Sequence, residues 1–478
     1  MASAKAFLSA LILVVSVGNA RGQDIPASSA EPWHSKRETE FTQKLERVPE
    51  KPYAIDANHA YSLAELIDLA QNHNPNTRVA WQIAKARAES LGIAKSALLP
   101  TISALVLTRT WRQNTLYADG FYRDTVGLFQ PALGLSYLVL DFGGRSGAID
   151  AARAEMFAAD FAFNDVHRKV VYQTAASYYR LLGAMGQLEA ARATLLNAQT
   201  VEKDTRSRLD HGLATLPDVL EAQAASAQAD YDLQAAIGAL ETAHGDLATT
   251  LGLAPATPFQ VQGIDELPIP ETLPDSVDDA LNHALAHRPD LLQQAAELRS
   301  AEASIQQARA NYFPSVSFSG LGGMQRDNGY RDRNPAQYAG RESWAAELDL
   351  RWTLFDGKRR EHEVAEAKAQ RAETQAQIGS LRDEISDEVW RAYSEANTAL
   401  RQRRAATALL VSADKAYVAA LKSYDLGLRS VLDVVAAQRT LAQARSADVF
   451  ARTQVLTQLA NLAFRSANAL QTPSKEKP

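Results

Sequence analysis

Apolar and polar residues follow two different periods along this chain, and the period switches at fixed points. From Trp344 to Leu354 apolar and polar residues alternate, with Ala345 alone out of step. Trp344, Ala346, Leu348, Leu350, Trp352 and Leu354 fall on one face, with Glu347, Asp349, Arg351 and Thr353 on the other. A period of two predicts a strand with one apolar and one wet face. Ser315-Val-Ser-Phe-Ser319 alternates in the same way, and the segments 101–111 and 133–140 read as strands as well. We expect strands over about 101–112, 131–142, 315–325 and 344–355. Polar loops would join them, one containing Asp119-Gly120 and the other running from Arg326 to Arg341.

Between these segments the chain reads as helix. The runs Ser146–Leu209 and Arg359–Asp425 contain no proline, and at about 1.5 Å per residue each makes a rod of roughly 95–100 Å. Glycines 183 and 186 sit inside the first rod. Ser62 is placed to cap a helix over Leu63–His73, which Asn74-Pro75 stops, and a further helix runs from Asn76 to Leu98 before Pro100. Helices are also expected over Asp218–Leu251, Asp290–Tyr312 and Asp433–Ser466. Several are rich in alanine and glutamine, as in Ala222-Gln-Ala-Ala-Ser-Ala-Gln-Ala229. Small residues let helices approach closely without a thick apolar core, as a thin-walled, water-lined tube requires.

The chain is an internal duplication. Ser62, His73, Asn74-Pro75, Ser90, Ala94 and Leu99-Pro100 recur 214 residues later as Ser276, His287, Arg288-Pro289, Ser304, Ala308 and Phe313-Pro314. At the same offset the hinge Asp141-Phe-Gly-Gly-Arg145 meets a second, so that Gly143 matches Gly357 and Arg145 matches Arg359, with Gly144 inside the first copy. The first repeat spans 61–251 and the second 276–466. A connector over 252–275 holds Pro255, Pro258, Pro268, Pro270 and Pro274 and is expected to belt the helices. The tail 467–478 reads as disordered.

Strands of about 10–12 residues, tilted near 45°, match the wall of an outer-membrane barrel, while the alternation alone also fits a soluble sandwich with one solvated face. Four strands cannot close a barrel whose minimum is about eight, so the protomer must oligomerise, and three copies would supply twelve strands. In each half, the helix before the strands and the helix after the rod together nearly equal one rod. Three copies would therefore also supply twelve full-height helical columns. The fold class expected is α+β, membrane-embedded: a trimeric twelve-stranded β-barrel continued by a twelve-helix α-barrel.

Composition sets outer bounds. An apolar content of 46% and charged content of 22% over 478 residues suit a large folded chain, and a net charge of -6 argues against a nucleic-acid partner. Lys5, the apolar run Ala6–Val17 and the small residues that follow read as a secretory signal over 1–22, cleaved after Ala20 or Gly22. The proline-bearing lead-in 23–60 reads as extended. With no cysteine, thiol catalysis, disulfides, cysteine-held zinc and a cysteine lipid anchor are all excluded.

The rod-to-helix turn also occurs twice, now 215 residues apart. His211-Gly-Leu-Ala-Thr-Leu-Pro-Asp-Val219 matches Leu426-Gly-Leu-Arg-Ser-Val-Leu-Asp-Val434. Gly212 and Gly427 suit the left-handed residue that ends a helix, and Asp218 and Asp433 place carboxylates at helix N-termini. The duplicated halves, paired x-Pro motifs, Leu-x-x-Gly-x-Arg hinges and Gly-x-x-[Ser/Thr]-x-x-Asp-Val turns resemble the TolC family of outer-membrane efflux proteins over about residues 55–470. That resemblance implies a homotrimeric channel-tunnel in the Gram-negative outer membrane, reaching into the periplasm. Its partners would be a periplasmic adaptor (membrane fusion) protein and an inner-membrane pump of the RND, ABC or MFS type. No cofactor and no metal are implied. It further implies that Asp218, Tyr424 and Arg429 close the resting tip and that Asp433 narrows its mouth. A second narrowing aspartate of the family falls here at Ala436. Adaptor docking would use the turns themselves: Gly212, Leu213, Thr215, Gly427, Leu428 and Ser430.

Two other readings compete. A periplasmic coiled-coil adaptor would share the long helices, but it usually has one helical hairpin rather than two. An enzyme would need a site that the chain does not display. His283 and His287 have i, i+4 spacing suited to sharing a metal, yet no His-Glu-x-x-His arrangement, nucleophile–base set or phosphate loop accompanies them. Which cargo is exported, whether drug, metal, solvent or protein, is not encoded in any of these patterns.

Overall fold

The computed structural model describes residues 30, 53, 55–263, 269–273, 276–331 and 337–468. The signal segment 1–22, most of the lead-in and the end of the tail lie outside them. From Asp56 onward the chain forms one unit, with elements in the order β1 (Ala60–Tyr61), α1 (Leu63–His73), α2 (Pro75–Ser96), β2 (Thr101–Tyr117), β3 (Gly120–Leu140), α3 (Gly144–Asp210), α4 (Leu216–Thr250), β4 (Gln260–Val261), α5 (Val277–His287), α6 (Pro289–Ala310), β5 (Ser315–Arg331), β6 (Gln337–Arg351), α7 (Arg359–Asp425) and α8 (Val431–Arg465).

The two rods, α3 and α7, are each 67 residues long. Capping sets several boundaries. Ser62 accepts from the Glu65 amide while the Glu65 carboxylate accepts from Ser62, which starts α1. The Asn74 side chain caps α2 and also donates to the Thr250 carbonyl at 2.8 Å, which joins the start of α2 to the end of α4. In the second half, a ring nitrogen of His283 bonds the Ser466 carbonyl at 2.8 Å and joins α5 to the end of α8. These two bonds each tie a shorter helix to the end of a longer one.

β2, β3, β5 and β6 form one antiparallel sheet in that order. The strands are longer than the alternation predicts. The stretch expected as a loop around Asp119-Gly120 is strand on both sides of a two-residue connection, Ala118 and Asp119, with Tyr117 paired to Gly120. Likewise β5 continues to Arg331 and β6 begins at Gln337, so most of the second expected loop is ladder too. The physical reason is that the ladder is made by backbone groups, so polar side chains such as those of Gln113, Asn114 and Thr115 do not interrupt it. Strands of 15 to 21 residues exceed the roughly 9–11 that a tilted membrane strand needs.

The pairing of β3 with β5 joins the two repeats, and one position there has no room for a side chain. A Cβ on Gly323 would stand 2.3 Å from the Pro131 carbonyl oxygen and 2.6 Å from the Ala132 Cα. The glycines inside α3 have the same kind of cause. A Cβ at Gly186 would meet Val449 of α8 at 2.7 Å, and one at Gly183 would meet Thr453 at 3.3 Å.

Small residues fill the helical interior. Ala175, Ala248, Ala284, Ala396 and Ala444 are all buried, and the largest fully buried side chains include Tyr178, Leu182, Leu247 and Ile385. The described part of the connector lies across the helices. β4 pairs in parallel with β1, Ile269 and Leu273 pack against Ala399, Leu400 and Val455, and Arg404 donates to the Glu271 carbonyl at 2.6 Å.

At mid-height an ionic cluster binds four elements. Arg288, almost fully buried, donates to both carboxylate oxygens of Asp290 and at 2.6 Å to Glu388 of α7. Glu388 also accepts from Arg465 at the end of α8. Arg168 of α3 pairs with Asp165 at 2.8 Å and stacks its guanidinium on Phe464. Burial alone would raise the Asp290 carboxyl, but the hydrogen bond and charge of Arg288 outweigh it and hold the group below the ordinary carboxylate range.

Candidate functional site

The sequence points to two places, the strand–helix hinge and the turn at the far end of the rods. At the hinge, Phe142 and Gly143 have φ of 47° and 102°, and Gly357 and Lys358 have φ of 68° and 71°. Two successive left-handed residues turn each strand into its rod. Arg145 fastens the first hinge: it pairs with Asp141 at 3.4 Å and donates to the carbonyls of Ala97 and Val139. In the second hinge the same work falls to Arg360 and not to the expected Arg359. Arg360 pairs with Asp356 at 2.7 Å, donates to the carbonyls of Asn311 and Leu354, and lies over the Tyr312 ring. Arg359 is exposed and pairs with Glu363. The repeat has therefore gained its extra residue before this hinge, so that Asp141 matches Asp356 and the offset is already 215.

At the far end both rods finish alike. The Leu213 amide bonds the Arg208 carbonyl at 2.7 Å and the Gly212 amide bonds Leu209, just as Leu428 bonds Ser423 at 2.8 Å and Gly427 bonds Tyr424. This is the Schellman arrangement, and it needs the positive φ of Gly212 (70°) and Gly427 (74°). The return helices begin with Thr215 and Ser430 as caps. The Thr215 amide and hydroxyl both donate to Oδ2 of Asp218, at 2.9 and 2.7 Å, and Ser430 does the same to Asp433 at 3.1 Å. These bonds from the Thr215 hydroxyl and amide lower the Asp218 carboxyl below its usual range. Leu213, Leu216, Leu426, Leu428 and Leu432 stand exposed around the turns.

The residues expected to close the tip do not meet one another within the chain. Asp218 serves its own cap, and Arg429 approaches Asp433 at 3.9 Å. Tyr424 is buried, and its partners are on the other rod. Its hydroxyl lies 3.4 Å from that of Thr205, and the Arg208 guanidinium covers its ring at 4.4 Å from the centroid. Arg208 also donates to the Tyr424 carbonyl at 3.3 Å and to Asp425 at 3.0 Å. Val201, Ala222, Tyr417, Tyr424, Val431, Val434 and Val435 form one cluster just above, drawn from both hairpins. Thr205 and Arg208 hold Tyr424 in place, and reading the sequence misses both. A basic residue in the last turn of a helix reads as a complement to the helix dipole, and nothing in its spacing points to a partner 217 residues away.

His283 and His287 are fixed by helix-end contacts. Their rings stack at 4.3 Å, and the His287 ring bonds the His283 carbonyl. Among the described residues no group of three or more histidine or acidic side chains has a metal-holding arrangement, and no helix is long and apolar enough to cross a membrane.

Comparison with known proteins settles what this architecture is. The family model described as outer membrane efflux protein matches residues 66–253 and 280–466, once for each repeat. The chain belongs to the outer membrane efflux protein family. Among its relatives, Protein CyaE of Bordetella pertussis is 30% identical over 412 residues, covering 85% of this chain and 84% of that one. Outer membrane protein OprJ of Pseudomonas aeruginosa is 25% identical over 440 residues, covering 91% and 89%. A crystal structure of a membrane protein from Pseudomonas aeruginosa superimposes with a TM-score of 0.73 at 25% identity, covering 87% of this chain and 93% of that one. The outer-membrane channel OprN superimposes at 0.76 with 19% identity, covering 88% and 98%, a likeness of fold.

This efflux protein accordingly has the fold of the trimeric outer-membrane channels. Four strands from each protomer enter the membrane barrel, and the apolar face carrying Trp344, Leu348 and Leu350 is exposed in the single chain. The helices extend into the periplasm. It is an outer-membrane channel of a tripartite export system. The adaptor alternative fails, because one antiparallel sheet shared by two helical hairpins is a channel protomer.

Proposed function

We propose that this protein is a passive conduit without catalysis of its own, working as a homotrimer that rests closed at its helical tip. A periplasmic adaptor docks on the two kinds of turn, Gly212-Leu213-Thr215 and Gly427-Leu428-Ser430, and an inner-membrane pump of the RND, ABC or MFS type powers export. The observation that carries the reading is the tip itself. Both rods end in rigid Schellman turns ringed by exposed leucines, an apolar surface of the kind that marks a protein contact. The charged lumen residues Glu347, Asp349 and Arg351 bias permeation without holding a solute tightly.

In this reading Asp218, Tyr424, Arg429 and Asp433 keep the tip shut. Both cap bonds of Asp218 fall on Oδ2, which leaves Oδ1 for a guanidinium of a neighbouring copy. Arg429, more than half exposed, is suited to supply it. The test is conductance of the purified protein in a planar lipid bilayer. Wild type should insert and give small, discrete steps. Asp218→Ala and Arg429→Ala should each raise mean conductance a few-fold, the size expected for losing one exposed ionic contact of about 0.5–1 kcal/mol. The double variant should add less than the sum. Unchanged conductance in both would leave Asp218 as a helix cap and nothing more. Turnover of any substrate by the protein alone would overturn the passive reading.

A further inference from the structure

Opening a tip of this construction requires the two helical hairpins of each protomer to part, because a mouth lined by six rigid turns widens only when neighbouring columns separate. What holds the hairpins together at their ends is therefore what sets the resting state. Resting on the channel reading above, we propose that Arg208 is the latch of the closed tip: it ties the last turn of one rod to the last turn of the other and must let go when the channel opens.

Four contacts converge on this place, all between α3 and α7. The Arg208 guanidinium stacks on the Tyr424 ring, donates to the Tyr424 carbonyl and pairs with Asp425, while one turn back Thr205 meets the Tyr424 hydroxyl. Arginine is suited to this in a way lysine is not, since a planar guanidinium can lie on a ring and still aim separate N–H groups at a carbonyl and a carboxylate. The Tyr424 carbonyl is among the last of its helix, where the negative end of the helix dipole adds to the attraction for a cation. A second ion pair between the hairpins, Arg439 of α8 to Glu221 of α4 at 3.4 Å, is more exposed and has one contact in place of several.

The latch sits where releasing it costs little elsewhere. Arg208 and Asp425 are 26% and 57% exposed, so once the rods part each charge is taken up by water. The valine-rich cluster above it is buried and apolar and acts as the fulcrum about which the ends swing. A contact that is satisfied by protein when shut and by water when open biases a two-state equilibrium without blocking it.

The experiment compares single-channel conductance of wild type, Arg208→Ala, Arg208→Lys, Arg208→Glu and the charge-swapped pair Arg208→Glu with Asp425→Arg. Thermal unfolding of each trimer is followed in parallel. Arg208→Ala should raise open-state occupancy on the order of tenfold, since several contacts are lost together, and Arg208→Lys should give a smaller increase because it keeps charge but not stacking. Arg208→Glu should open the channel further, and adding Asp425→Arg should restore part of the closure, because the swapped pair regains the ion pair but neither the stacking on Tyr424 nor the bond to its carbonyl. A merely structural role for Arg208 predicts no such rescue. If wild type shows discrete steps and Asp218→Ala opens it while every Arg208 variant behaves as wild type, the latch is wrong and the channel reading stands. A swapped pair as open as Arg208→Glu alone also overturns the latch. Absence of wild-type current sinks both.

Discussion

Gly323→Val is expected to abolish assembled, membrane-inserted protein. The substituted Cβ would stand 2.3 Å from a backbone oxygen of the neighbouring strand and 2.6 Å from a backbone carbon. No side-chain rotation relieves a clash with backbone. The strand must move, and it is β3–β5, the pairing that joins the two repeats. Because pairing errors propagate along a ladder of period two, a local displacement exposes apolar side chains to the lumen and polar ones to lipid. Gly322 is the matched control, since a Cβ there meets nothing within 4 Å, and Gly322→Val should assemble normally. Trimer yield from the outer-membrane fraction, run unheated on a gel, measures the difference. Equal yields of the two variants would mean that the sheet accommodates the side chain by a shift that these distances do not anticipate.

Arg288→Met is expected to be the most destabilising change in the helical part, costing about 3 kcal/mol, the lower end of the range for stranding a buried partner. Arg288 is buried and bonded to two carboxylates. Its removal leaves Asp290 charged without its main partner, while Glu388 retains Arg465. Replacing both partners, Arg288→Met with Asp290→Leu, should recover most of the loss, because the penalty lies in the orphaned charge. The dependence on pH has a definite sign. In wild type the folded-state Asp290 carboxyl sits below its unfolded value, so its stabilisation is present above the ordinary carboxylate pKa near 4. It is lost as pH falls through the lower folded value. In Arg288→Met, burial acts against the carboxylate with less to oppose it and its pKa rises. The deficit relative to wild type should then be largest near neutrality and shrink toward pH 4. Half-life of the trimer at a fixed high temperature, taken at pH 7 and pH 4.5, reads this out. A deficit that grows on acidification would contradict the assignment.

The two predictions rest on features of different legibility. The long rods were readable because proline is absent over each, and the first short helix because Ser62 is placed to cap it and Asn74-Pro75 to stop it. The duplication was readable because both copies keep their turn residues, and it carried the reasoning to a closed ring of several chains. Three kinds of feature escaped. Strand ends past Trp111 and before Trp344 are polar where the ribbons leave the hydrocarbon, so side-chain pattern stops marking a ladder that backbone continues. The extra residue ahead of the second hinge moved the fastening arginine from Arg359 to Arg360, and two adjacent arginines give a sequence reader no means to choose. Arg208 with Asp425 and Arg288 with Glu388 are pairs separated by 217 and 100 positions. Such pairs have no period, and one sequence contains many equally plausible partners for each.

The strand order β2-β3-β5-β6 leaves the first strand on one edge and the last on the other, so copies join head to tail. A heterologous contact of this kind has no built-in stop: it closes into a ring only when the rotation between neighbours divides the circle, and otherwise runs on as a filament. The ladder itself sets no number, because any β6 edge accepts any β2 edge. Counting to three is left to the helices, whose packing angle fixes that rotation below the membrane. Damage to close helix contacts such as Gly186 against Val449 should therefore appear as rings of the wrong size or as unclosed strings of protomers, before it appears as unfolded chain.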